Sequence, residues 1–235
     1  MPRRAALAVL VLTFWTLASS AQIPQGVFTE TFPPEEFAAR RAQVMAAMGD
    51  AVAVIQGAVE KPAELAFRQG AQFFYLTGVE VPRAILVMDG RAKTSTLYIA
   101  PEGFRVRALG PSLTAGPEAA KVTGLDAVVA RDGLTAAVQA FGRDGRKFYT
   151  TFGMDVVGGG SRAEANGLEA ATKRDAWDGR PTRHDAWTEK LRAAAGKADL
   201  AIENLDPIID RLRAVKSARE IAVIREATRI AGLGI

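Results

Sequence analysis

His184 and Asp185 form the neighbouring pair whose residue types most suggest general acid–base chemistry. His184 is the only histidine among the 235 residues. A carboxylate beside an imidazole can orient the ring as a proton acceptor. Because no nucleophile and no second metal ligand is near the pair in the sequence, we interpret His184 as a surface residue close to a helix start.

Other chemistries find little support in the composition. The chain has no cysteine, which excludes disulfide bonds, thiol catalysis and lipidation through a cysteine. The triple glycine Gly158–Gly160 is not a phosphate-binding loop, since no Gly-Lys-Ser/Thr sequence follows it. The net charge is +4, and subtracting Arg3 and Arg4, in an acid-free N-terminal segment, leaves +2. That balance is too small to indicate nucleic-acid binding.

Residues 1–21 have the three regions of a secretory signal peptide. Two arginines precede the apolar stretch Ala5–Ala18, which is short for a membrane span. The small residues Ser19–Ala21 then indicate cleavage before Gln22. The alternative is a buried N-terminal helix. We therefore expect an exported protein, periplasmic or secreted, that has no membrane attachment after cleavage.

The stretch Phe67–Gly78 is the element around which the remaining chain is organised. Its aromatic run Phe73–Leu76 predicts a buried strand or a short helix. Beyond it, Arg83–Met88 predicts a core strand and Asp89-Gly90 a hairpin turn. Thr94–Ala100 is the expected second strand of that hairpin.

The rest of the chain alternates between helical and strand patterns. Helices are predicted at Pro33–Gly49, Gly116–Val122, Gly133–Phe141 and Asp185–Ala195, and strands at Ala51–Ile55, Ala127–Ala130, Arg146–Phe152 and Leu200–Ile202. In the first helix the apolar spacing places Arg40 and Arg41 on the solvent side. The glycine-rich segment Val157–Arg183 predicts a flexible surface excursion with a helical piece near Leu168–Thr172. Such alternation predicts an α/β domain whose sheet is covered on both faces.

The final stretch, Ile208–Ile235, predicts two helices separated by a cap. Ser217 and Glu220 have the S-x-x-E spacing of a capping box. One helix therefore runs up to Lys216, and the next begins at Ala218. One face of the second helix carries Ile221, Ile224, Thr228 and Ala231.

Two of these stretches resemble a known family. The pattern F-R-Q-x-x-x-F-x-Y-L-T-G of Phe67–Gly78, followed by V-P-R-A-I-L-V-M, resembles the N-terminal domain of Xaa-Pro aminopeptidases. These enzymes belong to the creatinase and prolidase group of "pita-bread" metallopeptidases. The pattern L-R-x-x-K-S-x-x-E-I-x-x-I-R-x-A from Leu212 resembles their linker into the catalytic domain. The resemblance implies an α/β N-terminal domain with a mixed sheet flanked by helices, spanning residues 22–205. Residues 206–235 would be the linker and the first helix of an incomplete catalytic domain.

The resemblance also implies where the chemistry lies. In full-length relatives the catalytic domain carries two Asp, one His and two Glu that hold two divalent metals, usually manganese, sharing a hydroxide nucleophile. None of these ligands can be assigned in this sequence, so we predict no catalytic and no metal-binding residue and no activity of the chain alone. Cleft-wall or interface positions would be Arg68, Phe74 and Tyr75. Linker positions would be Arg213, Lys216, Ser217 and Glu220.

Two functions are consistent with this resemblance. The first is the non-catalytic part of an exported Xaa-Pro aminopeptidase, a homo-oligomer that acts on proline-containing peptides, in which the N-terminal domain serves oligomerisation and shapes the active-site cleft. The second is a stand-alone, non-enzymatic binding or assembly module of the same fold. A third possibility keeps the family but changes the substrate, as in prolidase or creatinase. We predict the first function, because the apolar face of the last helix needs a further domain to cover it and because export suits a peptidase better than an enzyme of small metabolites.

Overall fold

A computed structural model describes residues 26–29, 31–60, 67–100, 113–153, 161–177 and 181–234. The predicted signal peptide and the triple glycine lie outside the described residues. The strands are β1 (Val52–Gln56), β2 (Ile85–Asp89), β3 (Thr94–Ile99), β4 (Ala127–Ala130), β5 (Phe148–Thr150) and β6 (Ile202–Asn204). The helices are α1 (Pro34–Met48), α2 (Ala71–Thr77), α3 (Pro117–Thr123), α4 (Leu134–Arg143), α5 (Arg162–Arg174), α6 (Arg183–Ala195), α7 (Asp206–Ala214) and α8 (Ala218–Gly232).

The strands form one mixed sheet in the order β4-β3-β2-β1-β5-β6. The hairpin strands β2 and β3 are antiparallel, as are β1 and β2, whereas β4, β5 and β6 each join a neighbour in parallel. The hairpin prediction is confirmed, with Ile85 opposite Tyr98 and Asp89 opposite Thr94. Gly90 is required at the turn because a Cβ there would lie 2.0 Å from a backbone oxygen of Gly49.

Helices cover both faces of the sheet, which confirms the predicted α/β class. Along β1, Ala53 and Ile55 face a core shared with α1, α2, α3 and α7. Val52 and Val54 face the opposite core, which α4 and α6 complete. This alternation is the period-two pattern of a strand that is buried on both sides.

The aromatic run forms α2, the helical alternative of the two that its composition allowed. Gly78 ends the helix in the left-handed conformation, at φ 64°, and its N–H donates to the carbonyl of Phe74. Phe73 is 1% exposed, whereas Phe74 and Tyr75 are half-buried. Phe73 and Phe74 therefore differ because neighbours on a helix are rotated by about 100°.

Arg40 and Arg41 of α1 are 7% and 2% exposed, so their predicted place on the solvent side is wrong. The Arg41 guanidinium donates to the carbonyl oxygens of Leu76 and Gly124. It also donates to Ser95 Oγ at 3.0 Å. These acceptors replace water, which is the condition for burying a charge. Burial lowers the pKa of Arg41 to about 10, so the side chain stays charged at neutral pH.

The segment predicted as a flexible excursion contains the 13-residue helix α5. Ser161 and Glu164 form a complete capping box at its start, a signal of the same S-x-x-E type as at Ser217. The glycines of this segment favoured a loop in the sequence analysis, so that only a short helical piece was predicted near Leu168–Thr172. Two strand boundaries also differ, since β5 is shorter than Arg146–Phe152 and β6 begins at residue 202.

The core extends beyond residue 205. Leu205 and Ile209 are fully buried, and Ile208 and Leu212 of α7 pack against the same cluster. The expectation that the α/β core closes before Asp206 is therefore wrong. Within the described part of the chain, no helix has the length and hydrophobicity that crossing a membrane requires.

Candidate functional site

The predicted linker meets α1 at one end of the domain. The Ser217 hydroxyl donates to Glu36 Oε1 at 2.8 Å and accepts the backbone N–H of Glu220 at 3.2 Å. In return, the Glu220 carboxylate accepts the backbone N–H of Ser217 at 2.8 Å. The predicted capping box is confirmed. Its contact with Glu36 also attaches the start of α8 to α1.

Arg40 is the centre of this contact. Its guanidinium donates to Glu36 Oε1 at 2.7 Å and lies 3.4 Å from Glu220 Oε1. It also donates to the carbonyl oxygen of Tyr75 at 3.1 Å. Its Cζ lies 4.3 Å, 5.2 Å and 5.3 Å from the ring centres of Tyr75, Phe37 and Phe32. Carboxylates and aromatic faces together compensate the lost hydration of this cation.

A second polar chain joins α2 to α7. Arg213 Nη1 donates to Gln72 Oε1 at 2.9 Å, and the Gln72 amide donates to Asp210 Oδ1 at 2.8 Å and to Asp206 Oδ1 at 3.2 Å. The Arg213 guanidinium also lies 5.8 Å from the Tyr75 ring centre. Burial raises the pKa of the Tyr75 hydroxyl, although the nearby Arg40 opposes that shift. The phenol is therefore neutral at physiological pH.

These contacts border a groove of about 440 Å³, which we term the linker groove. Its lining combines charged and apolar side chains: Phe32, Asp210, Arg213, Ala214, Lys216, Glu220, Val223 and Ile224. The apolar members of α8 stay open to solvent, with Ile224 52% exposed. Exposed apolar side chains beside charged ones are the mixture found where protein surfaces meet.

The structure brings together five of the seven residues predicted for the site. Tyr75 and the four linker residues meet at or beside the linker groove. Arg68 and Phe74 lie apart from it: Arg68 is exposed and pairs with Glu80 at 3.4 Å. Phe74 packs edge-to-face against Phe28 at 5.5 Å.

The sequence interpretation missed Glu36 and Arg40. Their i, i+4 spacing is a standard helical ion pair and was available as a signal. It did not indicate burial, because part of the cover of Arg40 comes from Tyr75 of α2 and Glu220 of α8, which lie far from α1 along the chain.

His184 lies at the start of α6, as expected, and is half-buried. Its ring lies 4.4 Å from that of Phe152, and burial lowers its pKa below 6.5. The carboxylate of Asp185 accepts from the Thr182 hydroxyl at 2.7 Å and from Lys173 at 3.1 Å. Asp185 is therefore engaged in the cap of α6 and does not orient the imidazole as a catalytic base.

The described residues do not fit the metal pair that the resemblance implies. Among the described residues, no group of three or more His, Asp and Glu side chains could hold a metal ion. We derive no metal-dependent step from this part of the chain.

A family model described as the N-terminal domain of aminopeptidase P matches residues 37–149, from α1 to β5. This part of the chain belongs to the aminopeptidase P N-terminal domain family. Both Arg40 and Tyr75 lie inside the matched range, whereas the linker residues lie beyond it.

Individual proteins are also similar to this chain. A protein of Aspergillus clavatus named "Probable Xaa-Pro aminopeptidase" is 28% identical over 169 residues, which are 71% of this chain and 28% of that protein. Proline aminopeptidase P II from Yersinia pestis has the same fold, with a TM-score of 0.55 and 24% identity over 85% of this chain and 43% of its own. Zinc-substituted Escherichia coli aminopeptidase P in complex with product gives a TM-score of 0.55 and 22% identity, covering 84% and 42%. The chain thus spans less than half the length of each of these proteins.

Proposed function

We propose that this chain is the N-terminal, non-catalytic part of an exported Xaa-Pro aminopeptidase. In this proposal the whole enzyme removes an N-terminal residue that precedes proline and uses two divalent metals, with manganese as the expected pair. The domain described here orients the catalytic domain, shapes the active-site cleft and supports homo-oligomer formation. The family match to an aminopeptidase P N-terminal domain supports this assignment.

The attachment of α8 to α1 carries the proposal. α7 is anchored in the core through Ile209, and α8 continues from it with its first turn held by Ser217 and Glu36. The start of α8 is therefore held from two sides, by α7 in the core and by Glu36 and Arg40 of α1. A helix whose start is fixed in this way can orient a domain attached to it.

The exposed apolar side chains of α8 support a role in contact with another domain or subunit. Ile221 and Ile224, on the face predicted from the sequence, are 40% and 52% exposed, and Val223 and Ile230 on the other side are 42% and 57% exposed. An isolated helix of this length is marginal in water, and apolar helix faces are normally covered. Burying the face of Ile221 and Ile224 against a catalytic domain or a second subunit would stabilise the helix.

The test uses the purified chain, a peptide with proline in second position, and added manganese. We expect no release of the N-terminal residue, because the described residues bring together no catalytic set. Turnover that persists after contaminating peptidases have been removed would contradict a non-catalytic role. Export is tested in the native cell: the mature protein should begin at Gln22 outside the cytoplasm, and detection of a cytoplasmic form with Met1 intact as the sole species would overturn it.

The contribution to oligomer formation has its own measurement. Sedimentation velocity should show self-association of the chain that Ile224→Glu weakens. Leu168→Glu, on the exposed side of α5 and 72% exposed in the parent chain, is the matched control and should leave association unchanged. A monomeric parent chain, or equal effects of both substitutions, would remove α8 from the proposed contact.

A further inference from the structure

A second groove, of about 550 Å³, lies at the carboxyl ends of β5 and β6; we term it the β5–β6 groove. It lies between Phe152, after β5, and Asn204, the last residue of β6. The helix α6, which leads into β6, packs on one face of the sheet, and α7, which follows β6, packs on the other. Crevices of this kind are where α/β sheets bind ligands. The volume falls within the range of roughly 300–1,000 Å³ typical of small-molecule sites.

Among the described residues that line the β5–β6 groove, carboxylates outnumber cations. Its lining contains Glu169, Asp185, Asp206 and Asp210, against Arg162 and Lys173. On the α7 side both carboxylates have hydrogen-bond donors. Arg162 donates two hydrogen bonds to Asp210, and the Asp206 carboxylate accepts hydrogen bonds from the backbone N–H groups of Phe152 and Gly153. Arg213 further stabilises the charge of Asp210 from the linker side.

On the α5 side of the groove, the described part of the chain supplies one ammonium group, that of Lys173, to two carboxylates. Lys173 Nζ lies 3.2 Å from Glu169 Oε1 and 3.1 Å from Asp185 Oδ1. The side chain of Glu169 is only 11% exposed, whereas those of Lys173 and Asp185 are 46% and 42% exposed. A carboxylate that is largely removed from water and shares its counter-ion gains free energy from a second cation.

Aromatic rings form the neighbouring wall. Phe152 and His184 are in contact at 4.4 Å, and both line the groove. Burial keeps the imidazole neutral at pH 7, so it adds no positive charge. Neutral aromatic faces suit the apolar body of a ligand and also attract a cation.

We propose that the β5–β6 groove binds small molecules that carry a primary ammonium group. The ammonium lies against Glu169 and Asp185, and the apolar part of the ligand packs on Phe152 and His184. Amino-acid amides and the free N-termini of short peptides belong to this class. Phosphate and other anions are disfavoured by the excess of carboxylates. The site is independent of the function proposed above, since it needs no catalytic domain.

His184 provides a direct probe, because a single histidine gives a single set of imidazole NMR signals. The purified chain is titrated at pH 7 with L-alaninamide, with N-acetyl-L-alaninamide, which lacks the ammonium, and with sodium acetate. We expect a saturable shift of the His184 signal with L-alaninamide and none with the other two. The absence of a saturable shift with L-alaninamide at millimolar concentrations, or an equal shift with acetate, would overturn the proposal.

Substitution of Glu169 locates the binding. Glu169→Gln should weaken L-alaninamide binding about fivefold, the effect of removing one partly screened charge pair. The matched control is Glu226→Gln on α8, where Glu226 pairs with Arg229 at 2.7 Å away from the groove; it should leave binding unchanged. Wild-type affinity in folded Glu169→Gln would refute the site. The three-ligand titration of the parent chain decides the question even where a variant does not fold.

Discussion

Replacing Glu36 by alanine tests whether α1 holds α8. Glu36 Oε1 accepts hydrogen bonds from Arg40 at 2.7 Å and from Ser217 Oγ at 2.8 Å. Its side chain is 19% exposed and that of Arg40 is 9% exposed, so water replaces these bonds poorly. The substitution leaves the Arg40 cation with the more distant carboxylate of Glu220, at 3.4 Å.

The expected loss follows from these contacts. Removing one hydrogen bond to a charged group costs about 1.5–3 kcal/mol, and breaking a fully buried ion pair about 3–5 kcal/mol. Because Glu36 is partly exposed and Glu220 remains, we expect the free energy of unfolding to fall by about 2 kcal/mol. Ser217 still accepts the Glu220 N–H, so α8 keeps its cap and loses about 1 kcal/mol of local stability, or roughly fivefold in amide protection.

Urea denaturation measures the global loss, and hydrogen exchange detected by mass spectrometry measures the local one in α8. Ser161→Ala is the matched control, since Ser161 caps α5 with the same type of box. It should speed exchange in α5 and leave α8 unchanged. If Glu36→Ala lowers the free energy of unfolding while α8 exchanges at the wild-type rate, Glu36 stabilises α1 alone and the proposed attachment is refuted.

Three further outcomes are expected from the packing and the charges. Phe73→Ala should lower the free energy of unfolding by about 3–5 kcal/mol in urea melts, and the half-buried Phe74 should lose clearly less on the same substitution; equal losses would contradict the assigned faces of α2. Ile209→Ala should cost about 2–5 kcal/mol, and deleting residues 206–235 should lower the melting temperature of the whole domain; an unchanged melting temperature would show that α7 is dispensable. Because the pKa of His184 is lowered in the folded state, the unfolded chain binds a proton at higher pH than the folded chain does. The contribution of His184 to the free energy of unfolding should therefore be fully present above pH 6.5 and fall as the pH drops below that value. His184→Gln should abolish this part of the pH dependence.

Local patterns were enough to predict the layered α/β organisation. The hairpin at Asp89-Gly90 and the cap at Ser217 each depend on residues a few positions apart, so their signals survive in a single sequence. The capping box at Ser161 is equally local. It went unrecognised because the surrounding glycines suggested a loop.

Contacts made across long separations could not be predicted in the same way. Arg40 is a polar residue whose burial depends on distant parts of the chain, since Tyr75 of α2 and Glu220 of α8 complete its surroundings. The position of Ile209 in the core likewise depends on how α7 packs under the sheet. For the candidate site, the sequence indicated the α8 side of the contact at Ser217 and Glu220. Its partner Glu36 lies 181 residues away from Ser217.

The buried guanidinium of Arg41 has a consequence for the order of folding. Its hydrogen-bond acceptors lie 35, 54 and 83 residues further along the chain, in α2, β3 and the end of α3. An intermediate in which α1 docks before all three have assembled would hold a desolvated charge that lacks acceptors. We therefore expect α1 to dock late in folding, together with these three elements. Burial of Arg41 would then disfavour partly assembled forms of the domain, whereas the finished domain holds a cation whose hydrogen bonds are satisfied.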